Sequence, residues 1–363
     1  MLGAMTRPAP LPHVAELPRY VPGARGAAGA SEPVKLSSNE NPLPPLPSVV
    51  EAIARASGGI NRYPDMFAVD LTERIADAAG VAPDRVAVGG GSVAVLAHIL
   101  QAFAGPGDEV LYAWRSFEAY PILARAVGAA TVEVPLAAGA RHDLDAMLAA
   151  ITERTKVVLV CSPNNPTGPA VRADELARFM DAVPPHVLVV LDEAYLEFVT
   201  DPAAVRGADV LGRWPNLVVL RTFSKAYGLA GLRVGHALGE PDIIGAVRAV
   251  VTPFSVSGVA QAAAIASLDA EAELLDRVQG IVAERDRVAA ALRADGWEVP
   301  DAQGNFLWLA LGEQTTDFAA ALAAESPSLL VRPFAGDGVR VSIGTAEEND
   351  ALLAAVAKWR ARV

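Results

Sequence analysis

Apolar runs typical of β-strands alternate with helical segments between residues 86 and 220 of this 363-residue sequence. Each run is continuously apolar instead of alternating with polar residues, as in strands buried on both faces of a parallel sheet. The predicted strands are 86–88, 109–112, 131–134, 156–161, 187–191 and 217–220, and the helices between them are 93–103, 117–126, 143–150 and 173–182. The alternation predicts an α/β domain whose ligands bind at the carboxyl ends of the strands.

The sequence on either side of this region predicts two further parts. Residues 1–47 are rich in proline, which predicts an extended N-terminal arm. Later in the chain, helical periodicity over residues 259–294 is expected to break near Asp269 and Gly280. Short strands at 306–309, 329–331 and 339–343 then alternate with helices at 316–323 and 347–363. The predicted division is an arm (1–47), a large domain (48–255) and a small α+β domain (256–363).

Composition argues against several classes of partner. The net charge of −12 disfavours a nucleic acid or an anionic membrane surface. Cys161 is the only cysteine, so neither an internal disulfide nor a cysteine-built metal centre is expected, and no metal site is predicted. No apolar run approaches the roughly 20 residues that span a bilayer. The proline-rich start lacks the apolar core of a signal peptide, so a cytoplasmic location is expected.

Lys225 lies just past the last predicted strand of the large domain and has hydroxyl side chains near it in the sequence. Thr222 and Ser224 precede it, and Arg233 follows in a glycine-rich segment. A lysine at the end of a buried strand can be desolvated, which lowers its pKa and makes the neutral amine a nucleophile toward a carbonyl. Thr222, Ser224 and Arg233 together can hold a phosphate. This combination indicates pyridoxal phosphate bound to Lys225 as a Schiff base.

Three other predicted strands end in residues suited to the same cofactor. The turn at 89–92 contains three glycines and opens a helix whose backbone N–H groups are a ready phosphate site. The loop at 161–168 contains two prolines that restrict the direction of the Asn165 amide. Asp192 lies where a buried strand meets the sheet edge, and a carboxylate there is costly unless a cation, such as a protonated pyridine nitrogen, is nearby. A helix cap is the alternative role for Asp192.

Together these motifs resemble the fold-type-I pyridoxal-phosphate aminotransferases. The resemblance is carried by Asn164-Asn165-Pro166-Thr167-Gly168, by Asp192-x-x-Tyr195, and by Ser224-Lys225 followed by Gly231 and Arg233. It narrows to the histidinol-phosphate aminotransferase branch through Tyr20-Val21-Pro22-Gly23, Asn39-Glu40-Asn41-Pro42, Arg62-Tyr63-Pro64-Asp65 and Arg340-Val341-Ser342-Ile343-Gly344. The resemblance implies a mainly parallel seven-stranded sheet in the large domain. It also implies a homodimer, with the arm packed on the small domain and the partner subunit.

The resemblance further implies a role for each site residue. The catalytic residues are Lys225, Asp192 and Tyr195; Lys225 binds the cofactor and then moves a proton to and from the substrate Cα. The residues that hold the cofactor are Gly91, Ser92, Phe117, Asn165, Asp192, Tyr195, Thr222, Ser224, Lys225 and Arg233, with Tyr63 reaching the neighbouring subunit's cofactor. The substrate residues are Tyr20, Asn41, Arg332 and Arg340, and Arg340 takes the α-carboxylate by a bidentate contact. Buried turn aromatics are the alternative for Tyr20 and Tyr63.

Two segments depart from the histidinol-phosphate branch and indicate an aromatic substrate. Ser92-Val93 stands where that branch usually has an acidic pair, and residues 252–256 are less polar than their usual counterpart. Both segments resemble the actinobacterial phenylalanine, or aromatic, aminotransferases of the branch. Phe254 and Val256 are expected near the pocket entrance, with the core as the alternative for Phe254. Because Arg332 could bind a phosphate group, a phosphate-bearing substrate stays an alternative.

The predicted function is transfer of the amino group of a phenylalanine-like amino acid to a 2-oxo acid such as 2-oxoglutarate. Histidinol phosphate as the donor is the first alternative. A β-lyase or decarboxylase that uses the same cofactor is the second. A cofactor-binding regulator without turnover is the third, and it is disfavoured because the sequence shows no helix-turn-helix segment and no basic stretch.

Overall fold

Twelve strands and thirteen α-helices are found in the described residues, 8–17 and 33–362, of the computed structural model. The strands are β1 (Val34–Lys35), β2 (Val86–Gly89), β3 (Glu109–Trp114), β4 (Ala130–Pro135), β5 (Thr155–Cys161), β6 (Leu188–Asp192), β7 (Leu217–Thr222), β8 (Gly235–Leu238), β9 (Phe306–Ala310), β10 (Leu329–Leu330), β11 (Arg332–Phe334) and β12 (Gly338–Ser342). The helices are α1 (Pro12–Ala15), α2 (Pro47–Ser57), α3 (Val69–Ala79), α4 (Ser92–Phe103), α5 (Ala119–Ala126), α6 (Leu144–Ala149), α7 (Ala173–Ala182), α8 (Gly207–Val210), α9 (Pro241–Ala249), α10 (Gly258–Asp269), α11 (Glu271–Ala294), α12 (Thr315–Ala323) and α13 (Ala346–Arg360).

A seven-stranded sheet in the order β2-β8-β7-β6-β5-β3-β4 is the centre of the large domain. All neighbouring pairs from β7 to β4 are parallel, and only β8 runs antiparallel to its neighbours β2 and β7. The α/β class and the mainly parallel seven-stranded sheet are therefore confirmed. Strand β8 was not among the strands predicted from apolar runs, because it is four residues long and contains a glycine and a histidine.

Successive residues of the central strands pack into different cores, which explains why these strands are continuously apolar. Val190 packs with one cluster, which includes Ile99 of α4 and Ile244 of α9. Its neighbours in β6, Val189 and Leu191, pack with another cluster, which includes Phe179 of α7. Since both faces of the sheet are covered by helices, a polar residue within a strand would be desolvated on either face. Polar side chains are consequently concentrated beyond the strand ends.

The C-terminal part of the chain forms a smaller α+β unit. Strands β11, β12 and β9 form an antiparallel sheet, and β1 of the arm pairs in parallel with β10. The predicted break near Asp269 is confirmed, since α10 ends at Asp269 and α11 begins at Glu271. The predicted break at Gly280 is wrong, because α11 continues through this residue to Ala294. One glycine costs a helix about 1 kcal/mol, which the buried side chains of α11 offset.

Helices α2 and α3 connect the two units. Both pack against α10, and their buried residues Val49 and Leu71 belong to the same core cluster as Phe306 of β9. The division into an arm (1–47), a large domain (48–255) and a small domain (256–363) stays a prediction. Among the described residues, none of the helices combines the length and the apolar character that crossing a membrane requires.

Candidate active site

The carboxyl ends of β5, β6 and β7 and the start of α4 surround one cavity of about 170 Å³. It lies where ligands of parallel α/β sheets bind, outside the carboxyl ends of the strands. Eleven of the predicted site residues line it: Ser92, Phe117, Asn165, Asp192, Tyr195, Thr222, Ser224, Lys225, Arg233, Arg332 and Arg340. Residues from six separate stretches of the sequence therefore meet in one place.

Lys225 presents its amine to this cavity just beyond the end of β7. Burial lowers the pKa of the Lys225 ammonium to about 7, and the positive charges of Arg340 and Arg233 act in the same direction. The carboxylates of Glu40 and Asp192 oppose this shift. Nζ donates a hydrogen bond of 3.1 Å to the backbone carbonyl of Ser38. An amine with this pKa is substantially neutral at physiological pH, as a nucleophile toward a carbonyl requires.

Asp192 is the last residue of β6 and is 4% exposed. Burial raises the pKa of its carboxyl group to about 6. Hydrogen bonds from the Tyr120 hydroxyl to Oδ2 (2.8 Å) and from the Ala194 backbone N–H to Oδ1 (3.2 Å) limit this rise, and so does the charge of Lys225. The Ala194 contact is local, but Tyr120 comes from α5. The carboxylate is thus held in a fixed orientation at the cavity wall, where it favours a nearby cation.

Tyr120 is a functional residue that the sequence analysis missed. It is fully buried, and burial raises the pKa of its hydroxyl well above the usual range, so that it remains a donor. Its ring contacts Phe117 edge-on, with the ring centroids 5.6 Å apart. One tyrosine therefore supports both the aromatic wall of the cavity and the Asp192 carboxylate. The hydrogen bond between Tyr120 and Asp192 could not be predicted from a sequence motif, because the two residues are 72 positions apart.

Hydroxyl groups, a guanidinium and a helix N-terminus converge at one end of the cavity. Arg233 Nη1 donates to Ser224 Oγ at 3.1 Å, and Thr222 Oγ1 accepts from the Ser224 backbone N–H at 3.1 Å. Gly91 is the N-cap of α4 and has φ +89°, and no side chain caps the helix. A Cβ atom at Gly91 would clash with the Arg233 guanidinium. The conformation therefore requires glycine, and the absence of a side chain leaves the Arg233 guanidinium its place beside the turn.

Arg340, on β12, is held by residues from two other parts of the chain. Nη1 donates to Asn165 Oδ1 and Nη2 to the Ser37 carbonyl, both at 2.6 Å. Arg340 is 8% exposed, and it lines the cavity. A guanidinium fixed by its neighbours in this way is oriented in advance for a carboxylate.

Asn39 is the second functional residue that the sequence analysis missed. It is fully buried, and its Nδ2 donates to the Tyr195 hydroxyl at 3.0 Å. Asn41, which was predicted to frame the pocket, instead donates to the Ala226 carbonyl and accepts from the Leu43 backbone N–H, and it does not line the cavity. Both asparagines belong to the same Asn-Glu-Asn-Pro segment, and the role of Asn41 in framing the substrate pocket stays a prediction.

The remaining predicted residues lie away from the cavity. Tyr63 is 83% exposed, which excludes the buried turn aromatic as its role in a single chain. Its ring stacks on Phe254, with centroids 4.6 Å apart. Phe254 is 40% exposed and is not a core residue, whereas Val256 is buried in the core and lines no part of the cavity. Tyr20 lies outside the described residues.

The residues of the cavity fit pyridoxal phosphate. The α4 N-terminus with Ser92, Thr222, Ser224 and Arg233 supplies donors for a phosphate. Asp192 supplies a buried anion for the pyridine nitrogen, Lys225 a neutral amine for the aldehyde, and Phe117 an aromatic face. Asn165 and Tyr195 line the same cavity, and Asn165 accepts a hydrogen bond from Arg340. Each chemical feature of the cofactor therefore has a matching group in the same cavity.

The lowered pKa of Lys225 gives a pH dependence to loading of the cofactor. Because only the neutral amine attacks the aldehyde, the rate of covalent loading of the cofactor-free protein should rise with pH and level off above a midpoint of about 7. Stopped-flow absorbance after mixing apoprotein with pyridoxal phosphate, from about pH 5.5 to about pH 9, measures this midpoint.

The same reaction with Nα-acetyl-lysine in solution provides the control for titration of the cofactor itself. Its midpoint should follow the ordinary lysine pKa. Lys225→Ala should bind the cofactor only noncovalently, so borohydride should not attach the cofactor to the protein. A midpoint for the protein near that of free lysine would show that Lys225 is not desolvated.

The hydrogen bond from Tyr120 predicts a specific effect of Tyr120→Phe. Without this donor the pKa of Asp192 should rise, so the acid limb of the kcat/KM profile should move to higher pH. At neutral pH kcat/KM should fall about tenfold or more, the loss expected for a hydrogen bond to a charged group. The pH profile of kcat/KM and the equilibrium affinity for the cofactor are the measurements.

Tyr112→Phe is the matched control for Tyr120→Phe. Tyr112 is equally buried, its ring centroid is 5.8 Å from that of Tyr120, and its hydroxyl donates to Glu133 instead of Asp192. The control variant should keep the wild-type acid limb. An equal shift of the acid limb in both variants would contradict the role assigned to Tyr120.

Comparisons with known proteins agree with this geometry. The family described as aminotransferase class I and II matches residues 31–356. An aromatic amino acid aminotransferase of Streptomyces avermitilis is 55% identical over 95% of each chain, and one of Thermobifida fusca is 56% identical over 93% of each chain. The crystal structure of histidinol-phosphate aminotransferase from Sinorhizobium meliloti in complex with pyridoxal-5'-phosphate has a TM-score of 0.86 and 28% identity, with 98% of each chain covered. This chain therefore belongs to the class I and II aminotransferases, which are enzymes that depend on pyridoxal phosphate.

Proposed function

We propose that this enzyme is an aromatic amino acid aminotransferase. It takes the amino group of a phenylalanine-like donor and passes it to a 2-oxo acid such as 2-oxoglutarate. The observation that carries the proposal is a single cavity in which Lys225 and Arg340 stand beside Phe334, in addition to Phe117, which is matched to the cofactor ring. An α-amino acid with an aromatic side chain fits these groups: its carboxylate binds Arg340, its Cα lies near Lys225, and its ring packs on Phe334. The relatives from Streptomyces avermitilis and Thermobifida fusca bear this activity in their names.

The chain supplies binding, orientation and proton movement. When bound, pyridoxal phosphate supplies the electron sink that stabilises a carbanion at the substrate Cα. Asp192 keeps the ring nitrogen protonated, because a buried carboxylate favours the cationic form of its neighbour. Arg340 fixes the α-carboxylate, which places the Cα–H bond near Lys225 Nζ. With a pKa of about 7, Nζ can both accept and return a proton at physiological pH.

Donor specificity separates this proposal from its alternatives. With 2-oxoglutarate as acceptor, phenylalanine should give a kcat/KM at least about tenfold above that for histidinol phosphate, since each 1.4 kcal/mol of discrimination is a factor of ten. Coupled detection of glutamate formation measures both donors under one set of conditions. A higher kcat/KM for histidinol phosphate would overturn the proposal. Pyruvate with ammonia, or carbon dioxide, as the main product would indicate a lyase or a decarboxylase.

The enzyme is further proposed to act as a homodimer in the cytoplasm. Five large apolar side chains between residues 60 and 69 are between 42% and 83% exposed: Ile60, Tyr63, Met66, Phe67 and Val69. Exposed apolar side chains that cluster in this way mark a protein–protein contact. A second copy of the chain on this surface would bring Tyr63 toward the neighbouring cofactor. The cysteine, Cys161, is buried and free, as in proteins of a reducing compartment.

Tyr63 provides a test of the dimer. If its hydroxyl binds the phosphate of the neighbouring cofactor, Tyr63→Phe should weaken cofactor binding about tenfold or more, the loss expected for a hydrogen bond to a charged group. Equilibrium dialysis of the cofactor measures this affinity. Sedimentation should show an intact dimer for Tyr63→Phe and dissociation for Phe67→Glu, which buries a charge in the contact. A fully active wild-type monomer would contradict the assignment.

A further inference from the structure

Two arginines of neighbouring strands face the cavity, and they have different partners. Arg332 of β11 and Arg340 of β12 are directly opposite each other in the antiparallel register. Both are largely buried, with 7% and 8% of their surface exposed. Arg340 donates to uncharged oxygens, the Asn165 amide and the Ser37 carbonyl. Arg332 donates to a carboxylate, Glu118 Oε2, at 2.5 Å.

Glu118 itself belongs to the cavity wall. It directly precedes α5, next to Phe117, and its side chain is 28% exposed. Glu118, Phe117, Arg332 and Phe334 all line the cavity. The Arg332 guanidinium carbon lies 5.5 Å from the centroid of the Phe334 ring. The ion pair therefore lies beside Phe334, the aromatic side chain proposed to receive the donor's ring.

The ion pair changes which donors this part of the cavity can hold. A phosphate monoester carries close to two negative charges at neutral pH. Placed beside Arg332, it would also be placed beside the Glu118 carboxylate, and two like charges at short range repel strongly where water is scarce. An aromatic ring carries no net charge and can pack on Phe334 without separating the pair. The Glu118 carboxylate thus disfavours phosphate-bearing donors and permits donors with an aromatic ring.

We propose that Glu118 is a specificity-determining residue, which selects donors with an uncharged aromatic end by neutralising Arg332 against a donor phosphate. This inference rests on the proposed function, because it concerns the same cavity. It goes further by naming the residue that separates aromatic donors from phosphate-bearing ones. Without the Glu118 charge, the repulsion that keeps a donor phosphate away from this end of the cavity would be removed.

The experiment measures the ratio of kcat/KM for histidinol phosphate to kcat/KM for phenylalanine in the holoenzyme. Glu118→Gln keeps the size of the side chain and removes its charge, and the ratio should rise at least about tenfold, as for the loss of one buried charge contact. The rise should come mainly from a lower KM for histidinol phosphate. Glu118→Ala, which removes the same charge with a different steric change, should raise the ratio in the same direction.

Two further variants separate this inference from a general electrostatic effect. Asp337→Asn neutralises a carboxylate that is paired with Arg115, another guanidinium 5.5 Å from the Phe334 centroid, and neither partner lines the cavity. This matched control should leave the ratio at the wild-type value. In Glu118→Gln combined with Arg332→Gln, the gain should disappear, because the cation that binds the phosphate is gone.

The outcomes distinguish the inference from the proposed function. Phenylalanine turnover in the wild type together with an unchanged ratio in both folded Glu118 variants would overturn the inference and leave the proposed function intact. An equal rise in Asp337→Asn, or a gain that persists without Arg332, would also overturn it. A wild-type enzyme that prefers histidinol phosphate would overturn both. Thermal unfolding of each variant confirms that the native fold is compared throughout.

Discussion

The Lys225 amine and the Asp192 carboxylate are both held at the sheet edge with little access to water. Burial lowers the pKa of the lysine to about 7 and raises that of the aspartate to about 6, so both groups change charge close to neutral pH. Such shifts require a dry site, and the dry site exists because both faces of the sheet are covered by helices. The chemistry of the enzyme therefore depends directly on the burial of β6 and β7. A more open sheet would return both groups to ordinary behaviour.

The N-terminal arm completes this site with backbone groups as well as side chains. Carbonyls of Ser37 and Ser38 accept hydrogen bonds from Arg340 and Lys225, and Asn39 binds the Tyr195 hydroxyl. The Asn39 side chain also accepts from the Ser342 hydroxyl, close to the end of β12. Because β1 pairs with β10, the arm is fixed to the small domain at the point where it crosses the cavity. The described part of the arm thus orients three residues of the active site.

The sequence predicted best those features that depend on local pattern. Continuous apolar runs identified β5 and β7, because burial on both faces imposes that composition, whereas β8 is too short to impose it. The residues after each strand, such as Asp192, were identified because parallel strand ends share one edge. The contacts of Tyr120 and Asn39 depend on how distant segments pack, and the residues next to them in the sequence do not indicate these contacts. The fold and the cofactor are therefore predicted from local sequence patterns, whereas the contacts that orient the site residues are not.

The same limit applies to the two arginines of the small sheet. Arg332 and Arg340 are opposite each other in register, and each ends in an identical guanidinium, so residue type alone assigns both to an anion. The contacts of the two differ: Arg340 donates hydrogen bonds to the Asn165 amide oxygen and the Ser37 carbonyl, whereas Arg332 forms an ion pair with Glu118, which follows β3. A cation that is already compensated no longer favours an anionic ligand. Substrate class in such a cavity is thus determined by the residue that pairs with an arginine as much as by the arginine itself.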